Sequence, residues 1–188
     1  MNQKVLLLKI PARLDAASAQ GACERLAAAG VSVRVYAALA LDESYVYCRV
    51  DGAGGDAALA AVHEQARALF PRAEARLLEA LQRLDGASHG QDAPWHYIVE
   101  TDVAPESEQD LNDWYGQEHL PGLAGVPGTV RAERYRGEGS PRYHACYDLR
   151  TQETLGSPPW LAVRATEWSS RVRPAFRNTK RTMFRRVA

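Results

Sequence analysis

The same order of secondary-structure signals occurs twice along this chain, and that repetition limits the folds open to it. In the first half, residues 5–11 read as a strand and residues 16–29 as an alanine-rich helix, with Asp15 placed to cap it. Residues 31–41 and 45–51 read as strands joined by Asp42-Glu43-Ser44. Residues 56–70 read as a helix and residues 72–81 as a strand, although RAEARLLEALQRL also fits a helix running past Pro71. Gly86 to Pro94 (GASHGQDAP) is the linker. After it, WHYIVETDV alternates as a strand. Ser107 with Asp110 resembles a capping box, with Asp in place of Glu. The helix that follows carries Leu111, Trp114, Tyr115 and His119. Residues 129–137 and 143–149 are strands around a Gly137–Pro141 hairpin. Ser157-Pro158 starts a helix with a core stripe of Leu161, Ala165, Trp168 and Val172, which Pro174 ends. Residues 181–187 are the last strand.

Both halves therefore read βαββαβ, the order of a ferredoxin-like unit. The predicted fold class is α+β, with two tandem ferredoxin-like units. Residues 1–86 form the first, 87–94 the linker and 95–188 the second. A sheet with helices on one face must have its other face covered. Packing sheet to sheet within the chain gives a pseudo-dimeric α+β barrel. Pairing each half with its copy in a homodimer is the alternative. A cavity between the sheets is then the default binding site.

The 188 residues carry as many acidic as basic side chains, 23 of each. Their distribution is uneven. Residues 87–163 hold five basic and twelve acidic side chains, a net of −7, and residues 164–188 hold eight basic and one acidic, a net of +7. The plainer reading packs the basic segment against acidic residues 100–118. The sharper one makes it an anion-binding rim. A domain without overall basic charge argues against nucleic acid as a partner. Cys23, Cys48 and Cys146 are odd in number and lack metal-ligand spacing, so they read as reduced core residues in a cytoplasmic protein. The apolar run at residues 5–8 is too short for a signal peptide or a membrane span. No metal motif is present, and Gly52-Ala53-Gly54-Gly55 lacks the Lys-Ser/Thr of a phosphate-binding loop and reads as a turn.

The most concrete chemistry lies in DWYGQEHLPGLAGVPGTVRAERYR. Tyr115 and His119 share a helix face. His119 precedes Leu120-Pro121, which places it at a helix C-terminus, where the macrodipole favours the imidazolium. His119 is thus a candidate acid/base with Tyr115 as its hydrogen-bonding partner, the alternative being a ring that bonds a nearby carbonyl. Arg134 and Arg136 share a strand face and could hold a carboxylate or an enolate, or pair with glutamates at the surface. Tyr97, Tyr143 and Tyr147 lie on strands and Trp160 near a helix start. Each is a candidate for substrate contact or for the core. His63 and His96 have no partner at readable spacing.

DLNDWYGQEHLPGLAGVPG, RAERYR, PRYHACYDL, SPPW and TEWSSRVRPAFRNTKRTMFRRV resemble the EthD-like branch of the dimeric α+β barrel superfamily, over residues 95–187. The most specific element is WYGQEHLP. The N-terminal half resembles the superfamily only in element order, and its first helix ends in Ala28-Ala29-Gly30 without a His-x-Pro. The resemblance implies a pocket for a small organic molecule and a cofactor-independent enzyme doing proton-transfer chemistry on an aromatic or polyketide-like substrate. It also implies two alternatives. One is a haem-binding or cofactor-free monooxygenase, with His119 or His144 as axial ligand or base. The other is a non-catalytic ligand-binding module.

Overall fold

The computed structural model describes residues 4–27, 31–50 and 55–188. The chain divides into two compact units, Met1–Ala80 with Met183–Ala188, and Leu81–Thr182.

The first unit contains strand β1 (Lys4–Ile10), helix α1 (Ala16–Leu26), strands β2 (Val31–Ala38) and β3 (Ser44–Val50), helix α2 (Gly55–Leu69) and the first part of strand β4 (Glu74–Asp85). Strand β3 is central and pairs antiparallel with β1 and β2, while β1 also pairs with β4. Alternation puts Leu6, Leu8, Ile10, Val46, Cys48 and Val50 on one face. There they pack with Ala19, Ala22 and Leu26 of α1 and Leu59, Val62 and Ala66 of α2. The small alanines let α1 lie close to the sheet. Asp15 caps it, its carboxylate accepting from the Ser18 N–H. Residues 74–85 form a strand rather than a continuation of α2. The last residues of the helix expected through Ala29, the Asp51 end of the strand expected over 45–51, and the first three residues of the turn expected at 52–55 lie outside the described residues.

The second unit follows the same order. Strand β5 (Trp95–Val103) leads into helix α3 (Glu108–Trp114), a π-helical turn (Tyr115–His119) and helix α4 (Leu120–Ala124). Strands β6 (Thr129–Gly137) and β7 (Tyr143–Leu149), helices α5 (Pro158–Arg164) and α6 (Glu167–Val172), and strand β8 (Phe176–Arg186) complete it. Strand β7 is central between β5 and β6, and every one of its residues is buried. Within the first unit the hydrogen-bonded order is β4-β1-β3-β2, and within the second it is β8-β5-β7-β6. Among the described residues no helix is long and apolar enough to cross a membrane.

Four local readings are corrected. The helix does not stop at His119. The Leu120 N–H donates to the Tyr115 carbonyl five residues back, and the chain continues helically through Pro121 into α4. A wide turn accommodates the proline, whose missing N–H and bulky ring disfavour an ordinary α-turn. Ser107 makes no side-chain capping bond. It closes a 3-10 turn with Ala104, and Asp110 accepts instead from Trp168 and Arg171. The helix expected through residues 158–172 breaks at Ala165–Thr166. Its last turn tightens, and Thr166 caps α6 by accepting from the Ser169 N–H. Consequently Leu161 is 50% exposed and Ala165 is exposed, Trp168 is half-buried, and Trp160 is buried. Strand β8 begins at Phe176, five residues before the expected start at Arg181.

Candidate functional site

The second unit holds a cleft with about 380 Å³ of empty space, counted out to its open mouth. The β-period supplies one wall. Tyr97 and Val99 of β5 and Tyr147 of β7 line it, while His96, Glu100, His144 and Asp148 occupy the opposite face of the same strands. His96, without a legible partner in sequence, lies 2.7 Å from Asp148 across the sheet. His144 is fully buried 3.4 Å from Glu100.

The second wall comes from α3 and the π-turn. Trp114, Tyr115 and His119 line the cleft as a stack of rings. His119 lies against Trp114 with centroids 4.0 Å apart, and Tyr115 meets His119 edge-on at 5.3 Å. Trp160 also lines it, its ring centroid 5.2 Å from that of Tyr147 and 6.1 Å from that of Tyr97. Arg164, Arg173 and Arg181 line the cleft with Phe176 and Leu123. Among the described residues that line it, none is acidic.

Four polar atoms on these walls are buried without a hydrogen-bonding partner: His119 Nδ1, Trp114 Nε1, Tyr147 Oη and Trp160 Nε1. An unmade buried hydrogen bond costs about 1–3 kcal/mol, so such a cluster is expected where a ligand supplies the partners.

The electrostatics reverse one expectation. Burial, then the charges of Arg164 and Arg173, push the His119 pKa down to about 3. The favourable end of a macrodipole is absent because the helix runs on. The ring is therefore a neutral imidazole at physiological pH. Burial pushes Tyr115 up to about 12, and it also raises Tyr147 well above the usual phenol range. Both phenols are hydrogen-bond donors at neutral pH.

Of the residues singled out in sequence, His119, Tyr115, Tyr97, Tyr147 and Trp160 come together in the cleft. Arg134, Arg136 and Tyr143 do not line it. Arg134 is 4% exposed rather than at the surface. Its guanidinium sits 4.5 Å from the Tyr115 ring centroid and 4.7 Å from that of Tyr143, and donates to Asn112 Oδ1 at 2.8 Å. The Tyr143 hydroxyl donates to Glu108. Arg136 is exposed near the end of β6. Sequence reasoning missed Arg164, Arg173 and Arg181 as individuals, and their only signal was the net +7 of residues 164–188. Among the described residues no group of three or more His, Cys, Asp or Glu side chains could hold a metal ion.

No protein-family model matches the chain, and no curated protein matches it. Solved structures do. A candidate monooxygenase from Fusobacterium nucleatum subsp. nucleatum superposes with a TM-score of 0.71 at 11% identity, over 100% of this chain and 93% of that one. A candidate monooxygenase from Lactobacillus acidophilus gives 0.68 at 10% identity, over 99% and 95%. An anthrone oxidase-like protein gives 0.63 at 15% identity, over 99% and 92%. At these identities the likeness establishes the α+β barrel fold and nothing finer.

Proposed function

We propose that this protein is an EthD-like, cofactor-independent enzyme that binds a small aromatic or polyketide-like molecule in the cleft and moves one of its protons through His119. The observation that carries the reading is the set of buried, partnerless polar atoms on aromatic walls, with His119 Nδ1 among them. The imidazole is neutral and can accept a proton, as a weak base whose strength is set by the burial and arginine charges that hold its pKa at about 3, and the cleft walls exclude water from the transfer. Tyr115, held protonated beside the imidazole, orients the proton. Tyr147 donates to the oxygen on which negative charge develops. Isomerisation, cyclisation, dehydration or a related lyase step all begin this way.

The test is exchange of an activated C–H of an anthrone or hydroxynaphthalene into deuterated buffer, followed by NMR, for wild type and His119→Gln. Exchange lost in the variant supports the reading. Equal exchange in both removes His119 from the chemistry. The names of the fold neighbours favour one second reading, cofactor-free oxygenation. It predicts oxygen uptake in place of simple exchange. Haem ligation would fall to His119, since His144 does not line the cleft. A Soret band on adding haemin, lost in His119→Gln, would support it.

A further inference from the structure

Resting on that reading of the cleft, we propose that its ligand carries a carboxylate, and that Arg164, Arg173 and Arg181 form the seat for it. Three guanidinium groups line a single cleft, and among the described residues lining it none is acidic. Two other arginines of the same segment are engaged elsewhere. Arg171 makes two bonds to Asp110, and Arg177 donates to the carbonyls of Pro174 and Phe176. Asp110 is thus taken up by Arg171, while Arg164, Arg173 and Arg181 share one cleft. Arg164 and Arg181 raise the cost of charging Arg173: after burial, they are what push it below its ordinary value. Repulsion of this kind is relieved by an anion, and a planar guanidinium fork matches a carboxylate in two-point geometry. The aromatic walls fit a ring as the remainder of the ligand.

The arrangement also couples binding to chemistry. Arg164 and Arg173 help hold His119 neutral. A carboxylate seated on them offsets their field, so the imidazole becomes more basic when the site is occupied. The substrate then strengthens the base that acts on it.

Calorimetric titration with benzoate and 2-naphthoate, each against its uncharged amide, tests the proposal on the full chain. The acids are expected to bind at least tenfold more tightly than the amides at low salt. Arg173→Gln/Arg181→Gln is expected to abolish most of that preference, weakening the acids at least tenfold more than the amides. Equal binding of acid and amide overturns the carboxylate seat and leaves the aromatic cleft standing. A full preference in the double variant overturns the arginine assignment. Binding of none of the four compounds overturns both this proposal and the reading beneath it.

Discussion

The imidazole of His119 lies flat on the indole of Trp114, with ring centroids 4.0 Å apart and planes 20° from parallel. By itself this stack would favour a protonated ring, since a cation over an indole gains about 0.5–2 kcal/mol. Burial and two arginines outweigh it, and the pKa falls from an ordinary 6.5 to about 3.

That depression has a sign. Between those two values the unfolded chain binds a proton that the native protein refuses, so stability falls as pH drops through that window. Urea unfolding at pH 7.5 and pH 4 should show wild type losing roughly 2–4 kcal/mol more on acidification than His119→Gln. Equal losses would remove the neutral histidine from the account.

Tyr147 offers the opposite test. Its hydroxyl is buried and unpartnered, so Tyr147→Phe should leave the free protein unchanged or more stable by up to about 1 kcal/mol. The same variant should bind an aromatic ligand several-fold more weakly. Chemical denaturation and a binding titration separate the two effects. Loss of stability would show that the hydroxyl has a structural partner.

Arg134 is clamped between Tyr115 and Tyr143 and bonded to Asn112. Arg134→Ala should cost about 2–4 kcal/mol, the sum of two ring contacts and a charged hydrogen bond. Arg134→Lys keeps the charge but loses the planar stacking, and should fall between the two. Denaturation midpoints rank the three proteins, and a lysine variant matching wild type would argue against the clamp.

Adjacent residues on α5 should differ sharply. Trp160 is fully buried and Leu161 half-exposed. Trp160→Ala should cost about 3–5 kcal/mol, whereas Leu161→Glu should stay within about 0.5 kcal/mol of wild type. The reverse ranking would restore the uninterrupted helix that the sequence pattern suggests.

The two βαββαβ orders were readable because they rest on local signals: alternation in β5, β6 and β7, and punctuation by Gly and Pro between them. Tyr115 and His119 were readable for the same reason, being neighbours on one helix. What failed was whatever depends on distant parts of the chain. His96 finds Asp148 only through strand register, 52 residues away. Arg164, Arg173 and Arg181 come from a helix, a 3-10 turn and a strand, with no common spacing to mark them. The break at Thr166 was missed because a helical stripe of Leu161, Ala165 and Trp168 fits the pattern, while the buried face is set by Trp160. The charge of His119 was misjudged since burial, invisible in sequence, outweighs any dipole.

The wide turn at Tyr115–His119 has a consequence for insertions and deletions. At about 3.6 residues per turn, one residue more or fewer rotates everything beyond it by about 100°. A wider turn takes up one extra residue without that rotation, so Leu120, Leu123 and Ala124 keep their buried face, and deleting Gly116 should restore ordinary winding with the same face inward. The wide turn is therefore the one place in this helix where the chain can lose a residue and keep its buried face, whereas a deletion within α3 or α4 would turn those side chains away from the core.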